Sequence, residues 1–215
     1  MAHNRIKEQN VKDTLVFGIP IRIIMNSATR AFSLNVALLH DGMVDKTGKT
    51  VTTSVTLIDV HDISRSSKTY GTDAFFVVHS SQTMRSLVRT VKQHWDGDFG
   101  SRYNPNRQDA LGVLAIASDL DEVLMQIERH TGKLPKIIAT SARDGDDRIS
   151  YPDMRKLIEQ SDDSYLLTFG TGWGMGPELM SRADYILKPI YGPTPYNHLS
   201  VRAACAIILD RLQGK

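Results

Sequence analysis

Short apolar runs recur along the chain at 34–40 (LNVALLH), 74–79 (AFFVVH), 111–117 (LGVLAIA), 136–140 (KIIAT), 164–169 (SYLLTF) and 184–189 (DYILKP). They are rich in branched and aromatic residues and lack a strict apolar–polar alternation, as expected of strands covered on both faces. Helical patterns lie between them. One covers 60–70 and ends at Gly71; another covers 82–95, behind Ser81, with Met84, Leu87, Val88 and Val91 on one stripe. Asp119 caps a third, which Gly132 stops, and Pro152 opens a fourth over Tyr151–Gln160. A last helix spans 199–212. Asp41-Gly42 and Thr47-Gly48-Lys49 mark a hairpin-like excursion, and the polar stretch 96–109, with Gly97, Gly100 and Pro105, reads as a loop. Strand alternating with helix predicts an α/β layered fold with a mostly parallel sheet and helices on both faces, as one domain over 32–213.

Composition narrows the classes. With 41% apolar and 23% charged residues, the chain is neither a disordered tract nor a disulfide scaffold. The longest apolar stretch, Leu15 to Met25, is broken by Gly18, Pro20 and Arg22, so no membrane span is expected. The net charge of +2 means that any basic surface must be local. Cys205 is the single cysteine, so no internal disulfide forms and a reducing, cytoplasmic setting is expected. Its Ala-Ala-Cys-Ala-Ile-Ile context reads as core. Residues 1–31 form a polar N-terminal extension, expected to be poorly ordered or partly processed. The lack of acids from Thr14 to His40 leaves organelle import open, while Glu8 and Asp13 favour a plain extension.

Ligands bind beyond the carboxyl ends of parallel strands. Three such ends stand out: Thr140-Ser141-Ala142-Arg143, the glycine-rich 168–176 (TFGTGWGMG), and 188–200 (KPIYGPTPYNHLS). A dinucleotide fingerprint fails, because Met175 or Pro177 falls where its third glycine belongs. Either the glycines bring backbone N–H groups close to a ligand, or they make a tight turn with no ligand at all. Asn197 or Ser200 caps the last helix, whose centre, Ala203 to Leu209, is apolar nearly all round and must pack against more than one surface. Upstream, Asp59, His61, Asp62 and Arg65 cluster. Asp62 and Arg65 share a helix face, and their plainest reading is a local ion pair. No second His/Cys cluster supports a metal site, and His79, His94 and His130 stand apart.

GTGWGM, followed by KPI-G---YNHLSVRAACAIILDRL, resembles the SPOUT class of RNA methyltransferases, in particular its bacterial tRNA guanine-N1 methyltransferase-like branch. The resemblance covers about 33–213 and takes in TSVTLIDVHDISRSSKTYG (52–71), YNPNR (103–107) and ATSAR (139–143). It implies a C-terminal deep trefoil knot whose loops hold S-adenosylmethionine through Thr140, Ser141, Phe169, Gly170, Gly172, Gly174, Pro189, Ile190, Tyr196, Asn197, Leu199 and Ser200. It implies a homodimer through helix 199–212, and methyl transfer to a guanine ring nitrogen or a ribose 2′-hydroxyl of tRNA or rRNA without a metal. Arg65 matches the arginine placed beside the methyl acceptor in the 2′-O-methylating enzymes, with Asp62 and Asp59 as its acidic neighbours. Those enzymes carry an Asn and a longer gap where this chain has Asp62. Arg85, Arg89, Lys92, Arg102 and Arg107, interleaved with Trp95, Phe99 and Tyr103, are the candidate RNA contacts. Two other readings stand beside this one: a non-catalytic RNA-binding protein that keeps the knot, and a nucleotide-binding protein of another α/β class.

Overall fold

The computed structural model describes the backbone of residues 14–16 and 19–21, and residues 30–215. The expected extension over 1–31 therefore lies almost wholly outside the described residues. In chain order the elements are β1 (Thr14–Val16), β2 (Ile19–Ile21), β3 (Ser33–Leu39), β4 (Met43–Val44), β5 (Thr50–Val51), α1 (Leu57–Thr69), β6 (Phe75–Val78), α2 (Gln82–Asp96), α3 (Asp98–Tyr103), α4 (Pro105–Leu111), β7 (Leu114–Ala117), α5 (Leu120–Thr131), β8 (Lys136–Ala139), α6 (Tyr151–Glu159), β9 (Ser164–Gly170), α7 (Pro177–Met180), β10 (Tyr185–Ile186) and α8 (Val201–Gln213).

Six strands form one parallel sheet in the order β10-β8-β9-β3-β6-β7. Its centre is the β3–β9 ladder, in register from Ser33↔Ser164 to Leu39↔Gly170. Both faces are covered, which accounts for the unbroken apolar runs. Leu34, Val36 and Leu38 point with Phe75 and Val77 into a core shared with Ile63 of α1, Val88 of α2, Met154 of α6 and Ile208 of α8. Ala37 and Leu39 point the other way, with Phe76 and Val78, onto Val123 and Ile127 of α5.

Most of the predicted elements are present with shifted ends. Asp119 caps α5 by accepting from the Glu122 N–H, and Gly132 stops it in the left-handed conformation at φ +76°. The hairpin over 41–51 exists as the β4–β5 pair. The polar stretch 96–109 is not a loop. Asn104 accepts from the Arg107 N–H and Pro105 follows at the first helical position, so α3 and α4 form there and the next strand begins at Leu114. Leu87 is 39% exposed, and the buried stripe of α2 runs through Val88 to Trp95 instead. β10 holds only two residues, because the chain turns away into the proline-rich loop. Ser200, by accepting from the Ala203 N–H, delays α8 to Val201. Cys205 is fully buried, as its context predicts, and burial pushes its thiol pKa far up. Among the described residues, no helix is long and apolar enough to cross a membrane.

Where β3 and β6 end, His40 is 1% exposed and stacks on His79, with ring centroids 5.5 Å apart. Its Nδ1 lies 3.1 Å from the Val78 carbonyl. Burial holds the His40 pKa below its ordinary value, so the folded chain resists a proton that the unfolded chain accepts near pH 6.5. The stability tied to this neutral ring is complete above that unfolded value and is lost as pH falls below it. The urea midpoint of unfolding is expected to drop between about pH 7.5 and about pH 5, and to drop less in His40→Gln.

Candidate active site

The turn after β9 is gripped by the chain's own hairpin. Leaving the sheet at Leu39, the chain forms β4, and Val44 N–H donates to the Gly174 carbonyl at 2.9 Å. Trp173 N–H donates to Val44 O at 3.2 Å, and Gly176 N–H to Gly42 O at 2.8 Å. Thr171 Oγ1 donates to Leu39 O at 3.2 Å and touches Thr53 Oγ1 closely. A Cβ on Gly170 would lie 2.8 Å from Met175 Cγ, and one on Gly172 would lie 3.2 Å from Thr53 Cγ2. Gly170 is thus required by packing within the chain, and Gly172 by its left-handed backbone at φ +59°. Phe169 is a core residue, 2% exposed, which leaves its backbone as the part nearest the strand end.

The other two strand-end segments are strapped together. Asn197 Nδ2 donates to Ala142 O at 2.9 Å, and the Tyr191 hydroxyl reaches Asp144. Tyr151 OH donates to Lys188 O at 2.8 Å, and Lys188 N–H to Ile149 O at 3.0 Å. Thr140 turns inward, donating to Thr168 O from both N–H and Oγ1, while Ser141 Oγ accepts from the Arg143 N–H. Pro189 is buried, Ile190 and Asn197 are half-buried, and Tyr196, Leu199 and Ser200 are exposed. From Ile190 to Leu199, no backbone N–H donates to any described residue. This stretch is largely exposed, so water meets these donors, and they stay open to a ligand held through main-chain atoms, a mode of binding that suits S-adenosylmethionine.

A groove of about 510 Å³ separates α1 from α8 and is lined by Asp62, Arg65, Tyr70, Ser200, Arg202 and Ala206, among others. Asp62 and Arg65 do not pair with each other. Arg202 takes both acids of α1, with Nη1 3.1 Å from Asp59 Oδ1 and Nε 3.5 Å from Asp62 Oδ2. The Asp59 side chain is only 9% exposed, so this contact holds a nearly buried carboxylate. Arg65 is exposed and makes no hydrogen bond or ion pair with any described residue. The sequence reading missed Arg202. Its signal was a guanidinium in the first turn of an otherwise apolar helix.

The candidate RNA contacts divide. Arg85 is committed to the His79 and Ser80 carbonyls. Lys92 donates to Leu114 O, and burial lowers its pKa. Arg107 lies over the Trp95 ring at 4.7 Å, and His61 meets the same ring edge-on at 6.3 Å. Burial first, and then the charges of Arg107 and Arg65, lower the His61 pKa. Arg89 is half-buried and Arg102 exposed. No group of three or more metal-ligating side chains occurs among the described residues.

The sheet and its end loops define the SPOUT methyltransferase fold. The solved SpoU methyltransferase AviRb of Streptomyces viridochromogenes superposes with a TM-score of 0.51 at 17% identity, over 86% of this chain and 60% of that one. The sequence profile of the SAM-dependent RNA methyltransferases matches residues 33–214, and the chain belongs to that family. An uncharacterized protein of Aquifex aeolicus is 40% identical over 177 residues, 82% of this chain and 86% of its own. A Nitratidesulfovibrio vulgaris protein named tRNA (guanine-N(1)-)-methyltransferase is 42% identical over 182 residues, 85% of this chain. The match spans only 42% of that relative's length, so most of the protein that bears the name has no counterpart here.

Removing Arg202 tests the network under the groove. Arg202→Ala strands the Asp59 carboxylate and is expected to cost about 1–3 kcal/mol in urea unfolding, because Arg202 itself is partly solvated. Asp59→Asn in that background should recover much of the loss, since the stranded charge is then gone.

Proposed function

We propose that this chain methylates tRNA or rRNA at a guanine ring nitrogen or a ribose 2′-hydroxyl, with the cofactor held by the loops after β8, β9 and β10 and the acceptor brought to Arg65. The observation that carries the division is the state of Arg65. It is an exposed guanidinium in a groove shared with Ser200, and the acids near it are already taken by Arg202. A cation without an internal partner is available to an RNA phosphate or to charge developing at the acceptor. Bound S-adenosylmethionine supplies an activated methyl group on a sulfonium. The 190–199 loop orients that ligand through open main-chain donors, and Asn197 holds the loop to Ala142. Arg202 keeps Asp59 and Asp62 from neutralising Arg65. Alignment of donor and acceptor then provides most of the catalysis.

In this reading the C-terminal segment through α8 forms the trefoil knot of the class. The bacterial relatives and the single buried thiol support a cytoplasmic setting.

Arg65→Ala should leave calorimetric S-adenosylmethionine affinity within about tenfold, or ~1.4 kcal/mol. It should lower single-turnover transfer to RNA from a strain lacking the gene by about a hundredfold or more. Normal transfer by the variant would refute the role of Arg65, and absence of cofactor binding by the wild-type chain would refute the proposed function.

The α8 wall of the groove, across from Arg65, supports a homodimer. Ala203 and Ala206 give it a small-residue surface, and Ile207 is half-buried beside them, whereas Ile208 is core. Ile207→Glu should yield a folded monomer by light scattering. Ile208→Glu should fail to fold, because an unpaired charge in the core costs several kcal/mol.

A further inference from the structure

The apex of the turn after β9 carries an exposed indole on a rigid mount. Trp173 N–H is bound to Val44 O at 3.2 Å, Gly174 O accepts from Val44 N–H at 2.9 Å, and Gly174 N–H donates to Thr171 O at 3.0 Å. The flanking glycines supply the left-handed angles that the turn needs, φ +59° at Gly172 and φ +101° at Gly174, and the hydrogen bonds to Val44 and Thr171 hold it in place. Trp173 is 58% exposed, and its ring makes no hydrogen bond or ring contact with any described residue. Three other aromatic rings each have a partner. Tyr191 reaches Asp144, Tyr196 meets His198 edge-on at 5.5 Å, and Trp95 carries Arg107.

The hairpin that clamps Trp173 also carries charge. Lys46 and Lys49 are exposed near its tip, where Asp45 is engaged by Thr47 and by the Lys49 N–H. A flat ring on a stiff turn, with two ammonium groups on the strand pair that holds it, matches the chemistry of single-stranded nucleic acid. Its bases stack on aromatic faces, and its phosphates follow cations. The turn stands at the end of β9, between the ends of β8 and β3, and is itself one of the loops assigned to the methyl donor, so a base laid on its exposed apex lies close to that ligand.

We propose that Trp173 is a stacking platform for an unpaired base of the RNA substrate, with Lys46 and Lys49 contacting the adjoining phosphates. The inference rests on the RNA methyltransferase reading and adds the place where the RNA strand is gripped.

The test uses the full chain and an oligoadenylate 12-mer, with bulk tRNA as a second probe. The chain has two tryptophans, and Trp173→Phe leaves only Trp95, which is 9% exposed. Titrating the oligonucleotide should quench the red, solvent-exposed part of the wild-type emission and leave the Trp173→Phe emission unchanged. Trp173→Ala should weaken oligonucleotide binding by about tenfold, and Trp173→Phe by much less. The Lys46→Glu, Lys49→Glu pair should weaken binding further and flatten its dependence on salt. Affinity for S-adenosylmethionine should stay within about twofold in all three, against the tenfold scale that marks a lost contact. The proposal is overturned if the Trp173→Phe emission is quenched as strongly as wild type, or if Trp173→Ala binds the oligonucleotide normally. It is also overturned if Trp173→Ala loses cofactor affinity, which would make the ring a cover for the cofactor, or if wild-type emission is already blue-shifted, which would place a second copy over it. Failure of the wild-type chain to bind S-adenosylmethionine, with oligonucleotide quenching intact, would instead count against the proposed function alone.

Discussion

The seven-residue ladder between β3 and β9 is the contact on which the rest of the molecule depends. It places a late strand in the middle of the sheet, between β8 and the first strand of the domain. The ends of β3 and β9 then leave the sheet side by side, so the hairpin after one closes on the turn after the other. The crevice that a parallel sheet offers at such a reversal is filled here by Met43, Val44 and Met175. The loops after β8 and β10 lie beside this filled end, and the main-chain donors of 190–199 there meet no described residue.

A second constraint works on the other side of the sheet's helical layer. Arg202 binds two acids of α1 from the first turn of α8, so one guanidinium both fixes the helix pair and settles the charge of the groove. Its partner Asp59 is nearly buried, and a carboxylate in that position is tolerated only with a cation against it. Arg65 remains exposed because its acidic neighbours are engaged elsewhere. Packing and chemistry are coupled through a single residue.

Much of the fold could be read from the chain. The doubly covered strands announce themselves as unbroken apolar runs, and Asp119, Gly132 and Ser200 act as the caps their types suggest. Two short helices escaped notice because the glycines at 97 and 100 read as loop, while the Asn104-Pro105 start signal is only two residues long. The glycine-rich turn was visible as a special place, but its reason was not. Alternating glycines look the same whether they approach a ligand or a neighbouring hairpin, and only the positions of Met43, Met175 and Thr53 separate the two. The Asp59–Arg202 pair was hidden for a different reason. Its members are 143 positions apart, and no local pattern reports a contact at that range.

The central ladder also bears on how the chain reaches this state. Asn35 of β3 contacts Tyr165 of β9 across 130 residues of sequence, so one edge of the first strand of the domain waits unpaired until nearly the whole polypeptide has been made. β6 can join β3 early, and β7 can follow, but the other edge of β3 stays open through that interval. Contacts of such range are slow to close, because loop entropy is lost before the pairing compensates for it. An apolar strand edge exposed for that long invites pairing with other nascent chains. The unfinished sheet therefore carries an open apolar edge at β3 until β9 has been synthesised.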